Sequence, residues 1–194
     1  MWLIAAVVCW LGPESPAVSS NRVVQISENY KDYSPPRWIR YTIERLLSSI
    51  PESYTQGLST IVLADSTAAP KLHKWRSPRR HRKGEMLGAY HRKLNGDPAW
   101  IQLVVDRIVK EIPRPLRWLQ FARDVTFARV LFHEIGHHLD NTVGSTARAG
   151  EPAAEAWRMR LSRTHFLKHY PYLRVVAPFG LYLLRVLRLR GPQR

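Results

Sequence analysis

His133 and His137 stand four residues apart with Glu134 directly after the first, an H-E-x-x-H pattern in the stretch LFHEIGHHLD from Leu131 to Asp140. On a helix, four residues turn the chain by about 400°, so both imidazoles lie on one face. Two neutral imidazoles at that spacing can share a Zn²⁺ ion, and Glu134 stands where a carboxylate can take a proton from water beside it. The chemistry implied is metal-assisted hydrolysis of a peptide bond, with Glu134 as general base. A catalytic zinc also needs a third protein ligand and an open position. Downstream, Asp140, Glu151, Glu155, His165 and His169 are the candidates. Asp140 lies three residues past His137 and is better placed to orient a ligand than to complete a tetrahedron. His165 and His169 repeat the spacing of the first pair, but Phe166 holds the place of the base, so they read as surface or supporting residues. Glu151 and Glu155 both open the next helix, after a loop long enough to fold back over the metal.

Cys9 is the only cysteine. That excludes an internal disulfide and a Cys-rich zinc site, and leaves His and carboxylate to hold a metal. Gly136, between the two histidines, costs a helix about 1 kcal/mol relative to alanine. Close approach of another backbone, or of substrate, would account for it.

The elements that must position these residues can be read from periodicity and turn chemistry. Val23-Val24-Gln25-Ile26 is a short strand, and Ser34-Pro35-Pro36 starts a helix with prolines in its first turn. Trp38, Ile39, Ile43, Leu46 and Leu47 recur at helical spacing up to Ile50, where Pro51 stops the run. Leu58 to Leu63 (LSTIVL) is a buried strand ending at Asp65. Leu87 to His91 and Trp100 to Val105 are two strands around the turn signal Asn95-Gly96-Asp97-Pro98, and Pro113 and Pro115 break the chain after them. From about Leu116 to Leu139 only Gly136 opposes helix formation. Leu119, Ala122, Phe127, Val130, Leu131 and Ile135 cover much of that helix's circumference, so it should run buried through the centre of the domain. Residues 141–150 are small and polar, a loop. Pro152 suits the first turn of a further helix through Ala153, Ala154, Ala156, Trp157 and Met159.

With 194 residues and a hydrophobic fraction of 45%, the chain can bury a core without disulfide support. It divides into an apolar N-terminal segment (1–20), one folded domain (21–170) and a basic, apolar C-terminal tail (171–194). The apolar run from Met1 to Leu11 has the length of a signal-peptide core and is too short to span a bilayer. No Lys or Arg precedes it and the region Ala17-Val18-Ser19 is a mediocre cleavage site, so a cytoplasmic location is favoured over export. The formal charge of +15 attracts nucleic acid, anionic lipid or acidic proteins. Its densest part is the run KLHKWRSPRRHRK between Lys71 and Lys83, an exposed loop compatible with gripping phosphates and so a route to nucleic acid. The tail from Tyr170 to Arg190 could contact a membrane surface. The plainer reading leaves both basic segments solvated against the domain.

A resemblance adds to this. Glu151-Pro152-Ala153-Ala154-Glu155-Ala156-Trp157-Arg158 resembles the E-x-x-A-E-A-F-R stretch of the anthrax lethal factor-like peptidase family, which includes the Pro-Pro endopeptidases. More loosely it resembles the E-x-x-A-x-x-F-A of ImmA/IrrE-type peptidases. His133 to Asp140 is similar to the H-E-x-G-H-x-x-D of the first family. The resemblance implies a minigluzincin: an α+β, zincin-like fold with a small mixed sheet packed on a central H-E-x-x-H helix plus further helices, and Zn²⁺ as cofactor. It implies Glu151 as third ligand and Glu155 behind it, positioning His137 or the water, with Glu155 itself the alternative ligand. It also implies that substrate pairs with an upstream edge strand, here Leu87 to Tyr90 beside Ile101 to Leu103. The likeness covers about residues 58 to 160, and its specific part is the two short motifs. The gap from His137 to Glu151 is shorter than in those families. Their transition-state tyrosine has no counterpart near Gly144, which leaves Tyr90, His91 or His138 to contact substrate or transition state.

Two rival readings use the same residues. A SprT-like peptidase acting on DNA-bound proteins would explain the charge, but that class uses a third histidine and none follows His137 closely enough. A non-catalytic, metal-stabilised domain would bind a partner through the basic loop or tail.

Overall fold

The computed structural model describes residues 24–68, 86–93, 96–144 and 150–174. The apolar N-terminal run, the basic run between Lys71 and Lys83, and the tail from residue 175 onward lie outside the described residues. The elements in order are β1 (Gln25–Asn29), α1 (Trp38–Leu47), β2 (Leu58–Ala64), β3 (Gly88–His91), β4 (Ala99–Val104), α2 (Val105–Glu111), α3 (Gln120–Leu139) and α4 (Glu151–His169). The strands form one mixed sheet in the order β1-β2-β4-β3, with β1, β2 and β4 parallel and β3 antiparallel at one edge. The fold is α+β.

The two inner strands, LSTIVLA and AWIQLV, are near-continuous apolar runs, the pattern of strands covered on both sides. Ile61 pairs with Ile101 and Leu63 with Leu103, and all four are fully buried. They meet Ile39, Ile43 and Leu46 of α1 and Phe127, Leu131 and Ile135 of α3 in a single core that also takes Ile108 of α2 and Leu161 of α4. Each such side chain contributes about 1.5–3 kcal/mol by leaving water. Two carboxylates fasten the strand ends. Asp65 accepts the backbone N–H groups of Lys31, Asp32 and Ala68, and Asp106 accepts both the N–H and the hydroxyl of Ser66.

The helix α3 is twenty residues of unbroken helix, about 30 Å long. It is buried over most of its surface, as its composition requires. Lying antiparallel to it, α4 packs so closely that a Cβ on Gly136 would meet the Ala154 carbonyl oxygen at 2.5 Å and its Cα at 2.8 Å. The glycine between the histidines is therefore there for a backbone, that of α4.

Several boundaries differ from the sequence expectation. The prolines at 35 and 36 precede α1 instead of occupying its first turn, and the helix ends at Leu47 before a turn to Ile50. Arg114–Leu116 is one isolated 3-10 turn, so α3 starts at Gln120 and not near Leu116. Asp140–Gly144 continues as a π-helical turn where a loop was expected, and α4 runs on to His169. The short helix α2 was not anticipated at all, because Val104 and Val105 read as one strand. Among the described residues no helix is long and apolar enough to cross a membrane.

Candidate metal centre

One partly exposed stripe of α3 carries His133 and His137, their rings 4.8 Å apart and nearly perpendicular. The first residue of α4, Glu151, faces both. Its carboxylate oxygens lie 3.3 Å from His133 Nε2 and 3.7 Å from His137 Nε2. One ligand atom from each of the three falls within 4.8 Å of the others, so the group can hold a metal ion. Zinc bonds of about 2.0–2.1 Å in a tetrahedron keep ligand atoms about 3.3–3.4 Å apart, close to the two His–Glu distances. Two imidazoles and one carboxylate also make a donor set suited to zinc. The histidine side chains are about one-quarter exposed and Glu151 is 79% exposed, which leaves the fourth side facing solvent. Burial, and then the neighbouring His133, push the His137 pKa down, with Glu151 and Asp140 opposing. The neutral imidazole, the form that binds a metal, is favoured.

The other carboxylates around the pair have separate partners. Glu155 takes two hydrogen bonds from the Arg158 guanidinium, and one of its oxygens lies 3.8 Å from His133 Nδ1. It therefore stands behind His133, not His137, and Arg158 holds its pKa down. Asp140 accepts the Gly150 N–H at 2.7 Å, and Gly150 adopts φ +79° to turn the chain into α4. Through that bond Asp140 sets where Glu151 begins. Its second oxygen is buried without a partner among the described residues.

Glu134 lies against β3. It is buried, and Gly88 lies so close that a Cβ there would come within 3.1 Å of the Glu134 carboxylate and 2.7 Å of Val130. Burial pushes the Glu134 pKa up to about 7, against a hydrogen bond from the Tyr90 N–H and with a further push from Glu151. A cation held by the three ligands would pull it back down. Since the Leu87 carbonyl accepts the Val104 N–H, alternate residues of β3 face β4 and the backbone groups of Gly88 and Tyr90 face outward. Among the described residues that outer edge has no strand partner.

Tyr90 and His138 come together, with the histidine behind the tyrosine. The Tyr90 hydroxyl lies 3.3 Å from His138 Nδ1, and His138 Nε2 lies 3.0 Å from the Gln56 carbonyl oxygen. A carbonyl only accepts, so Nε2 carries the proton and Tyr90 donates to Nδ1. His138 is thereby shut in at 1% exposure, with both nitrogens engaged by protein groups. His91 points to the opposite face of the sheet, stacked on Trp100 at 3.8 Å, and is not brought to the cluster.

The second histidine pair corrects the sequence reading. His165 is no surface residue. It is fully buried, with Nδ1 2.9 Å from the Ser49 hydroxyl and Nε2 3.4 Å from Asp124, far along α4 from Glu151. Asp124 also pairs with Arg45 and accepts the Tyr170 hydroxyl. Sequence reasoning assigned Asp124 no role, and gave none to Arg158 beyond its place in a motif. The Glu155–Arg158 spacing of three was a readable helical pair. No local signal marks the Gln56 carbonyl.

No protein-family model, curated protein or solved structure matches this chain. Fold and site together define an α+β protein with a three-residue His-His-Glu group able to hold a metal ion.

Proposed function

We propose that the protein is a zinc-dependent metallopeptidase of zincin-like, minigluzincin type. The observation that carries this reading is the convergence of His133, His137 and Glu151 on one point, with the Glu134 carboxylate buried next to it. Bound there, zinc supplies Lewis acidity toward water and toward a peptide carbonyl. Glu134 takes one proton from the attacking water as its oxygen bonds to the carbonyl carbon. The same carboxyl then delivers that proton to the amide nitrogen as the C–N bond breaks; the second water proton passes from the new carboxylic acid to the amine, leaving a carboxylate and an ammonium. The outward N–H and C=O of Gly88 and the C=O of Tyr90, whose N–H is taken by Glu134, bind the peptide in extended form by adding it to the sheet edge. Glu155 and Arg158 hold the His133 ring, and Asp140 holds the Gly150 turn that delivers Glu151. A carboxylate in the third position supports this class over the SprT-like alternative, which needs a histidine there.

The test is Glu134→Gln in the full chain, assayed on an unfolded protein and on mixed peptides. Hydrolysis should fall by about 10²- to 10⁴-fold, the usual contribution of a general base, while zinc content is kept. Unchanged hydrolysis in the variant overturns the assignment of the base.

A further inference from the structure

The helix α3 carries a third residue on the stripe of the two histidines. Arg129 lies four positions before His133, as His133 lies four before His137, so the three stack in a row along one face. Reaching to His133 and Glu134 is an open recess of about 380 Å³, lined also by Arg129 and Val130 of α3, by Leu87 and Gly88 at the start of β3, and by Glu155 and Arg158 of α4. The two guanidiniums differ in availability. Arg158 gives two of its donors to Glu155. Arg129 meets Glu111 at 3.4 Å, and both side chains are more than half exposed, so this pair is worth little and exchanges readily.

The direction of β3 tells what would reach Arg129. Gly88 lies against Val130 and Glu134, whereas Tyr90 lies against Glu134 and His138. The strand therefore advances along α3 in the same sense, two strand residues (about 6.6 Å) for each helical turn (about 5.4 Å). A peptide laid on the outer edge of β3 runs along this axis as well. One turn upstream of His133 corresponds to about two peptide residues from the bond at the metal ligands. At that level the cleft offers no side chain from Gly88, apolar walls from Leu87 and Val130, and, among the described residues, the loosely engaged cation of Arg129.

We propose that the recess over Arg129 is a specificity subsite for a carboxylate, about two residues from the scissile bond, and that Arg129 is the residue that reads it. The carboxylate is either an Asp or Glu side chain or the C-terminus of the peptide. This rests on the metallopeptidase reading for its substrate class, although the binding it describes does not require turnover.

The test therefore reads binding. Fluorescent pools of short peptides, randomised except for one residue fixed as Glu, Gln or Lys and ending in a free or amidated C-terminus, are titrated against the full-length Glu134→Gln protein by anisotropy. The Glu pool, or the free-carboxylate pool, should bind about tenfold tighter than its neutral counterpart, as for one charge-assisted hydrogen bond; whichever of the two does so names the source of the carboxylate. Adding Arg129→Gln should bring the ratio near one, and Arg129→Glu should turn the preference to Lys. Arg163→Glu, a charge-matched change at an exposed position of α4, should keep the preference for carboxylate. Absence of discrimination, failure of every pool to bind, or a preference that survives both Arg129 substitutions overturns the subsite. Zinc content and hydrolysis by the unsubstituted protein, measured separately, decide the reading on which it rests.

Discussion

Two polar clusters occupy opposite ends of the same antiparallel helix pair. At the C-terminal end of α3 and the start of α4 are His133, His137, Glu151 and Glu155; at the other end are Asp124, His165, His169 and Tyr170. Both contain a histidine pair spaced by four and at least one carboxylate. Their surroundings separate them. Asp124 is fully buried and receives Arg45, the Tyr170 hydroxyl and His165, whose other nitrogen faces Ser49. Those contacts tie α1, α3 and α4 together. In the first cluster the two Nε2 atoms face Glu151 at the surface, with the Glu151 side chain largely in solvent. Around Asp124 the hydrogen bonds are closed, with only His169 Nε2 at the margin buried without a partner among the described residues, and such a network specifies packing. A partly exposed group of convergent ligand atoms is what a metal ion can use.

The comparison predicts that substitutions at the closed cluster cost stability and those at the open one cost metal and function. The largest loss of stability is expected for Asp124→Ala, which leaves Arg45 nearly buried without its partner and strands the Tyr170 hydroxyl. Unfolding by urea should show about 3–5 kcal/mol of destabilisation; a change below about 1 kcal/mol would mean that the cluster is not structural. Gly136→Ala couples the two ends, since the new Cβ meets α4 backbone and not a flexible side chain. It should destabilise the protein by about 1–3 kcal/mol despite the better helix propensity of alanine, and weaken zinc binding by displacing Glu151. The smallest effect on folding is expected for Glu155→Gln, which removes the charge behind His133. Zinc affinity should fall by about 10- to 100-fold in a competition with a chelator, while the urea midpoint of the metal-free protein stays within experimental scatter.

The open cluster was the more legible of the two because its logic is local. The spacing of His133, Glu134 and His137 and the start of a helix at Glu151 can be read within a few turns of chain. The pair of strands around Gly96 was legible too, since turn chemistry marks it, and Gly96 does take a positive φ of +94°. The closed cluster is held by contacts between residues 41 and 125 positions apart, such as His165 with Asp124 and Arg45 with Tyr170. Nothing near His165 in sequence announces them, so a buried histidine reads there as a surface or supporting one. The missed helix α2 has a related cause. Its Val105, Ile108 and Val109 continue the β-branched character of β4 with no turn residue between, and local propensity cannot divide the two. For Glu155 the resemblance implies support of His137 or the water; the structure puts it beside His133 instead, a choice that depends on how α4 packs over Gly136.

Metal content tests the central claim most directly. The full chain, refolded or expressed with zinc and dialysed, is measured by mass spectrometry beside Glu151→Ala and Glu155→Ala. The account predicts about one zinc per chain in the unsubstituted protein, loss of it in Glu151→Ala, and retention with weakened affinity in Glu155→Ala. Zinc absent from the unsubstituted protein, or lost in Glu155→Ala and kept in Glu151→Ala, would contradict it.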